Sequence, residues 1–450
     1  MTEERSGGEP HVAGDGAAPE TDADRDARLR ALLSVPVGVT PPSPIAPARL
    51  RPPAPPRPDT RDGGDGGHEP PGRRIGARAA LSALVLLGLF ATGAGLAYAG
   101  TRILRSSTEG EVLAQETDPN APGYEALVAP TPTLLVVHDL GGSVQALTVL
   151  TLPDPGAGGG GVVFVPTRTV SDMPIFGYAP IEAAYDLGTA EVQAEVVGDV
   201  LNTGIGEVAV VDAERWAGLV APVAPLAIDN PDDLEVDGEV RFPAGDIELA
   251  AEDVGPYLEA RHDGESDLAR LFRHRTFWAA WLAAVAASDD PAVVPGELES
   301  GIGRFVRALA AGATVIETLP VEATTVEDFA DEPTFLPEDE AVAALVSELV
   351  PLPRSPRPGV RPRVRVLAGT PDRDEARSVA LELPPVGVEV VIVGNARSFG
   401  EEATTIAYVD PSQEDEADAI REVLGVGEVV VDPRPSDVVD ITVTLGADHD

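Results

Sequence analysis

Arginine side chains are the groups in this sequence best suited to bind an anion. Arg261, Arg270 and Arg273 lie in or just before segment 266–287, whose apolar spacing predicts one long helix. Arg270 and Arg273 are three residues apart and share a helix face, and guanidinium groups match the geometry of phosphate oxygens. Both side chains could therefore contact one phosphate group. The competing interpretation is structural, in which Arg270, Arg273 and Arg275 pair with acids of the chain such as Glu265 and Asp267.

Other residue types in the chain offer fewer kinds of chemistry. There is no cysteine, so thiolate metal sites and disulfides are excluded. His262 and His274 have no second histidine at metal-ligand spacing, which favours positions at the surface or core edge. Trp278 and Trp281 are predicted core residues, with lining of a lipid pocket as the alternative. Gly158 to Gly161 lack the Lys and Ser/Thr that follow the glycines of a phosphate-binding loop.

Two folded α/β regions are predicted to position these residues. In the first, residues 132–350, apolar runs and helical periodicity predict strands at 133–137, 146–152, 162–166 and 207–211 and helices at 180–203, from about 213, and at 266–287, 297–314 and 338–350. In the second, residues 363–448, they predict strands at 363–367, 389–393, 404–409, 428–431 and 439–445 and helices at 372–383 and 415–424.

One segment outside these regions, residues 79–100, has the properties of a transmembrane helix. Its 22 residues carry no charge, and a helix of that length reaches about 33 Å, enough for a hydrocarbon core of about 30 Å. Eleven arginines precede the segment, whereas Arg102 and Arg105 are the only ones that follow it closely. The positive-inside rule therefore predicts a single-pass plasma-membrane protein with a cytoplasmic N-terminus and extracytoplasmic C-terminal domains.

The remaining segments are polar and rich in proline. Residues 1–72 are predicted to be a disordered cytoplasmic tail, 106–131 a spacer, and 351–362 a stiff Pro/Arg linker. After Gly100 the chain holds 63 acids against 21 arginines. Nucleic acid is therefore excluded as a partner of this part, because binding phosphate backbones requires a basic face. The use of Arg without Lys, together with frequent Ala, Gly, Pro and Val, indicates a GC-rich bacterial genome.

The second region resembles the LytR C-terminal domain. Its first strand and glycine, VRVLAG at Val364 to Gly369, and its end, VVDITVTLGAD at Val438 to Asp448, carry this resemblance. The family usually has Asn where Ala368 stands. Such domains follow LytR-CpsA-Psr (LCP) domains, mainly in actinobacteria.

The first region resembles a divergent LCP domain. The matching segments, in the family's order, are LLVVHD (134–139), VVFVPTRT (162–169), IEAAYDLG (181–188), YLEARHDGESDLARLFRHR (257–275) and VIETLPV (315–321). The resemblance implies an α/β/α domain with a mixed central sheet. It also implies a cell-envelope function, because LCP enzymes transfer a phosphoglycosyl polymer from a polyprenyl pyrophosphate lipid to peptidoglycan.

The resemblance also implies roles for particular residues. Asp139 matches a family acid and would be catalytic and hold Mg²⁺, and Arg168 would be a second catalytic residue. Arg261, Arg270 and Arg273 match three family arginines and would bind the phosphates or lipid. The partners implied are a polyprenyl-pyrophosphate glycopolymer or peptidoglycan, and Mg²⁺ is implied if the site is active.

Several positions depart from the family pattern. Ala146 stands where the family has a Mg²⁺-binding Asp, and Arg168 is displaced by one position from the Pro-Arg-Asp motif. Glu259 replaces an arginine and His274 replaces a glutamine. These losses favour a degenerate relative that binds an envelope glycopolymer, lipid or protein without catalysis. The alternatives are an active LCP phosphotransferase and an envelope scaffold that acts through its C-terminal domain.

Overall fold

The computed structural model describes residues 116–449 except 174–176, 237, 263, 291–292, 327–332 and 433–437. The predicted tail (1–72) and the predicted transmembrane segment (79–100) lie outside the described residues. Within the described part, no helix is both long and apolar enough to cross a membrane.

Nineteen strands are found in the described residues. In chain order they are β1 Glu125–Leu127, β2 Thr133–Leu140, β3 Ser143–Thr151, β4 Gly160–Val165, β5 Val170–Met173, β6 Gly177–Pro180, β7 Glu207–Val211, β8 Leu226–Asn230, β9 Leu234–Val236, β10 Glu239–Phe242, β11 Gly245–Leu249, β12 Thr314–Thr318, β13 Val321–Thr324, β14 Thr334–Pro337, β15 Arg363–Ala368, β16 Glu389–Asn395, β17 Thr405–Tyr408, β18 Glu428–Val431 and β19 Ile441–Leu445.

Nine α-helices accompany these strands in the same part of the chain. They are α1 Ala183–Leu187, α2 Ala190–Val200, α3 Ala213–Val220, α4 Val254–Glu259, α5 Asp267–Ala286, α6 Gly301–Ala310, α7 Asp339–Leu349, α8 Arg373–Glu382 and α9 Glu414–Leu424.

The first sheet is mixed, as the sequence predicts. Its strand order is β12-β4-β3-β2-β7. The β2–β3 and β3–β4 pairs are antiparallel, whereas β12–β4 and β2–β7 are parallel. The glycine-rich segment between β3 and β4 therefore joins two strands of a hairpin, in agreement with the prediction from the sequence.

Helices cover both faces of this sheet. On one face α3, α5 and α6 pack against the sheet through an aromatic-rich cluster that includes Trp216, Phe277, Trp278 and Phe305. On the other face α1, α2 and α7 pack through smaller side chains such as Val197 and Val346. The strands are apolar on both sides because both faces are covered, which is the α/β/α arrangement expected from the sequence.

The second sheet has the order β1-β16-β15-β19-β17-β18. Its first strand, β1, comes from the segment interpreted as a spacer (106–131), so that part of the spacer is an ordered strand. Glu125, Ala126 and Leu127 pair antiparallel with β16. The Asn395 side chain of β16 also donates hydrogen bonds to the carbonyls of Pro119 and Ala121. These contacts join residues more than 260 positions apart, which is why local sequence does not reveal the strand.

Two predicted helices differ in the structure. The helix expected at 180–203 is divided into α1 and α2, because the Thr189 hydroxyl accepts the amide hydrogen of Glu191 and starts a new helix. The helix expected at 297–314 is the shorter α6. Its first residue, Gly301, has a φ of 66°, which lies outside the right-handed helical range and stops the helix from extending upstream.

Candidate functional site

The helix α5 brings Arg270 and Arg273 to one buried face, as its periodicity predicts. Arg270 is fully buried. Its Nη2 donates to Asp267 Oδ1 at 2.7 Å, and the guanidinium also donates to the side chain and backbone carbonyl of Gln145 on β3. Burial lowers the pKa of Arg270, while Asp267 opposes that shift. Arg270 is therefore held by the protein's own acceptors.

Arg273 forms a second, separate ion pair. Its Nη2 lies 2.6 Å from Glu265 Oε1, and its Nη1 donates to the carbonyl of Ala260. Both charged side chains of the pair are almost completely buried. The two arginines thus share a helix face, but each has its own carboxylate partner.

Asp267 connects Arg270 to Thr167, which follows strand β4. It is the first residue of α5, after the cap Ser266. Its Oδ2 accepts the backbone N–H of Thr167 at 2.6 Å, and Arg261 Nη2 lies 3.9 Å from Oδ1. One buried carboxylate therefore faces two arginines and a backbone donor, which satisfies its acceptor capacity.

Arg168 lies in the same network but does not meet Asp139. Its Nη1 is 3.3 Å from Glu182 Oε1, and the Thr167 hydroxyl donates to Glu182 Oε2 at 2.8 Å. Burial raises the pKa of Glu182, against the opposing effects of Thr167 and Arg168. The predicted catalytic Arg168 is thus an ion-pair partner of Glu182.

Asp139, the predicted catalytic and metal residue, lies near the end of β2. Its Oδ2 accepts a hydrogen bond from the Tyr185 hydroxyl at 3.2 Å. The pKa of Tyr185 is raised, first by desolvation and then by the charge of Asp139. Asp139 therefore contacts α1 rather than the arginines of α5.

The residues that the structure describes do not form a magnesium site. Ala146, at the position of the family's metal-binding Asp, is fully buried in the aromatic-rich cluster, directly across from His138 in the β2–β3 ladder. Among the residues that the structure describes, no three His, Asp or Glu side chains are grouped so as to hold a metal ion. Asp139 thus lacks the additional oxygen ligands that Mg²⁺ takes.

Beneath the arginines lies a core of aromatic rings and two neutral histidines. The rings of His138 and His274 are 5.2 Å apart, and His138 is 5.1 Å from Trp216. His274 Nε2 contacts the carbonyl of Leu258, and His138 Nε2 contacts the Thr148 hydroxyl. Trp278 and Trp281 are fully buried, which confirms them as core residues.

The sequence predicts the arginines of the site but not most of their partners. Gln145, Thr167 and Glu182 were not identified, because each belongs to a strand, turn or helix far from α5 in sequence. Asp267 and Glu265 were identified as alternative partners. The spacing of three between Asp267 and Arg270 on one helix was the available signal.

The C-terminal region matches the model of a known protein family. Residues 361–449 match the family described as LytR cell envelope-related transcriptional attenuator. This match confirms the LytR C-terminal domain indicated by the motifs. No curated protein sequence matches the chain.

The chain is also similar, at low sequence identity, to several solved structures, one of which is described as a LytR-CPS2A-psr family protein. TagV of B. subtilis is 19% identical, with a TM-score of 0.41, over 49% of this chain and 97% of its own. The LytR-CPS2A-psr protein TagT with bound octaprenyl pyrophosphate lipid is 15% identical, with a TM-score of 0.38, over 52% of this chain and 92% of its own. A transcriptional regulator from Enterococcus faecalis is 20% identical, with a TM-score of 0.41, over 49% and 88%.

Proposed function

We propose that this chain is a membrane-anchored, extracytoplasmic cell-envelope protein of LCP type that binds a glycopolymer or its lipid carrier without transferring it. The observation that carries this proposal is the occupation of Arg270 and Arg273 by acceptors of the protein itself. A transferase site needs guanidinium groups that are available to the pyrophosphate.

The charge balance of the network supports the same conclusion. Arg168, Arg261, Arg270 and Arg273 each face one of three carboxylates, Glu182, Glu265 and Asp267. A pyrophosphate that displaced Asp267 from Arg270 would take the closest cation away from a buried carboxylate, which is unfavourable. The network therefore has little surplus positive charge with which to stabilise a pyrophosphate leaving group.

The class of ligand that we propose is based on ligands bound in structures of TagT. TagT has been solved with octaprenyl pyrophosphate lipid and with LIIa-WTA. For this chain we propose the same class, a polyprenyl-pyrophosphate glycopolymer or peptidoglycan. An active phosphotransferase is the second candidate, and it requires the buried ion pairs to open and a metal site to assemble. A scaffold that acts through residues 362–450 is the third.

A transfer assay separates binding from catalysis. The full chain in detergent is incubated with a polyprenyl-pyrophosphate glycan donor and peptidoglycan, with and without Mg²⁺. We expect no transfer product in either condition, together with saturable binding of the donor to the chain in the same detergent solution. Transfer that depends on Mg²⁺ would contradict the proposal, and so would the absence of donor binding.

The structural role of Arg270 is tested by a matched pair of variants. Arg270→Gln leaves Asp267 buried without its closest cation, so we expect the free energy of unfolding in urea to fall by about 3–5 kcal/mol. Arg275→Gln on the same helix removes a half-exposed pair with Glu317 at 3.6 Å, and is expected to change stability by less than about 1 kcal/mol. Equal stabilities for the two variants would argue that Arg270 is free for a ligand.

A further inference from the structure

A cleft of about 500 Å³ lies between the helices of the first sheet and those of the second. The cleft is separate from the arginine network, and the ligand inferred for it below does not depend on the proposed function. Its walls come from the end of α2, from α7, from the Pro/Arg segment and from α8 with the turn after it. Its lining includes Asp339, Val342, Val346, Arg361, Leu381 and Pro384.

Arg361 forms the base of the cleft. This side chain is 6% exposed and spans the two regions: Nε donates to the carbonyl of Asn202, and Nη1 donates to the carbonyls of Pro384 and Val388. Neutral carbonyls, rather than a carboxylate, are its hydrogen-bond acceptors among the described residues. Its Nη2 makes no hydrogen bond to a described residue, so this buried cation retains donors for an anionic group.

The upper parts of the cleft have different chemistry. Val342, Val346, Leu381 and Pro384 provide an apolar wall. At the rim Asp339 is exposed, and Glu382 at the end of α8 is exposed as well. A third carboxylate, Asp199, is already paired with Arg357 at 2.8 Å. A ligand that complements the cleft has an anionic end, a small apolar body and a cationic group.

We propose that this cleft binds the free carboxyl end of a short peptide that carries a basic residue. The terminal carboxylate would accept hydrogen bonds from Arg361, small side chains would pack on the valines of α7, and the basic group would lie near Asp339 and Glu382. A volume of about 500 Å³ is in the range of small-molecule sites, about 300–1,000 Å³. An isolated anion is disfavoured by the acidic rim, and a purely apolar ligand would leave Arg361 Nη2 without a hydrogen-bond acceptor.

Three peptides test the assignment by calorimetric titration of the full chain. The probes are acetyl-Lys-Ala-Ala with a free carboxylate, the same peptide as its amide, and acetyl-Ala-Ala-Ala with a free carboxylate. Since a charge-assisted hydrogen bond contributes about 1.5–3 kcal/mol, the amide is expected to bind at least about tenfold more weakly than the free acid. The peptide without Lys should also bind more weakly. Equal binding of acid and amide, or no binding of any probe at millimolar concentration, would overturn the proposal.

Variants locate the site within the cleft. Asp339→Asn should weaken acetyl-Lys-Ala-Ala and leave acetyl-Ala-Ala-Ala unchanged. Glu340→Gln is the matched control, because Glu340 is the next residue in the first turn of α7 and does not line the cleft. Arg361→Gln should abolish the difference between acid and amide. An equal effect of Asp339→Asn and Glu340→Gln would reject the cleft as the site, and this comparison does not depend on whether the Arg361 variant folds.

Discussion

At the scale of single residues, two buried histidines make the stability of the first domain depend on pH. Burial, with a smaller contribution from Arg270, lowers the pKa of His138 to about 3. The pKa of His274 is also well below its usual value, for which desolvation is the largest cause and His138 the next. Both rings are therefore neutral in the folded protein under conditions in which an unfolded chain binds protons.

This difference predicts a loss of stability in mild acid. Below about pH 6.5 the unfolded chain takes up a proton at each histidine, while folded His138 stays neutral down to about pH 3. Each such histidine should lower the free energy of unfolding by about 1.4 kcal/mol per pH unit across that window. Urea unfolding between pH 7 and 4 measures the slope. His138→Gln should reduce this slope by the contribution of one histidine, about 1.4 kcal/mol per pH unit. An unchanged slope would contradict the lowered pKa of His138.

The site residues also show what sequence alone can and cannot provide. The common face of Arg270 and Arg273 follows from helical periodicity, which is a local property. Their partners do not, because Thr167 meets Asp267 across 100 positions of the chain. The direction of the Ala146 side chain was similarly hidden, since it depends on the pairing of β2 with β3.

At the scale of elements, the attachment of β1 to β16 depends on one glycine. A Cβ added at Gly394 would lie 2.1 Å from the carbonyl oxygen of Tyr124. Gly394→Ala should therefore displace β1 and expose its backbone amides. We expect faster hydrogen exchange at residues 125–128, with the rest of the second sheet less affected.

The control for this prediction is Gly218→Ala on α3, where an added Cβ meets no atom within 4 Å. That variant should leave exchange at β1 unchanged, and it should not be destabilising because Ala is the better helix former. If residues 125–128 exchange as slowly in Gly394→Ala as in the unsubstituted chain, the predicted displacement of β1 is contradicted.

Long elements are predicted well because the apolar residues that they bury form a pattern that is visible in the sequence. The strand at 146–152 and the helix at 266–287 have continuous or periodic apolar residues, and they appear as β3 and α5. The short antiparallel pairs β5–β6 and β8–β11 are not predicted. Their strands have only four or five residues, too few for a periodic pattern to stand out from loop sequence.

At the scale of the whole molecule, the proposed anchor predicts a defined topology. Residues 79–100 carry no charge, and the arginine excess lies before them. In intact cells, added protease should cleave a C-terminal tag and spare an N-terminal tag. Deletion of 79–100 should move the chain to the soluble fraction, whereas deletion of 1–72 should leave it with the membrane. Protection of the C-terminal tag would contradict the orientation.

The position of β1 in the chain has a mechanical consequence. Tension applied to the N-terminal side of residue 116 reaches β1 before it reaches β2, because β1 comes first along the chain. The ladder between β1 and β16, with the Asn395 contacts beside it, therefore bears load ahead of the first sheet. While β1 stays paired with β16, the C-terminal domain would bear the load before the buried ion pairs of α5 do.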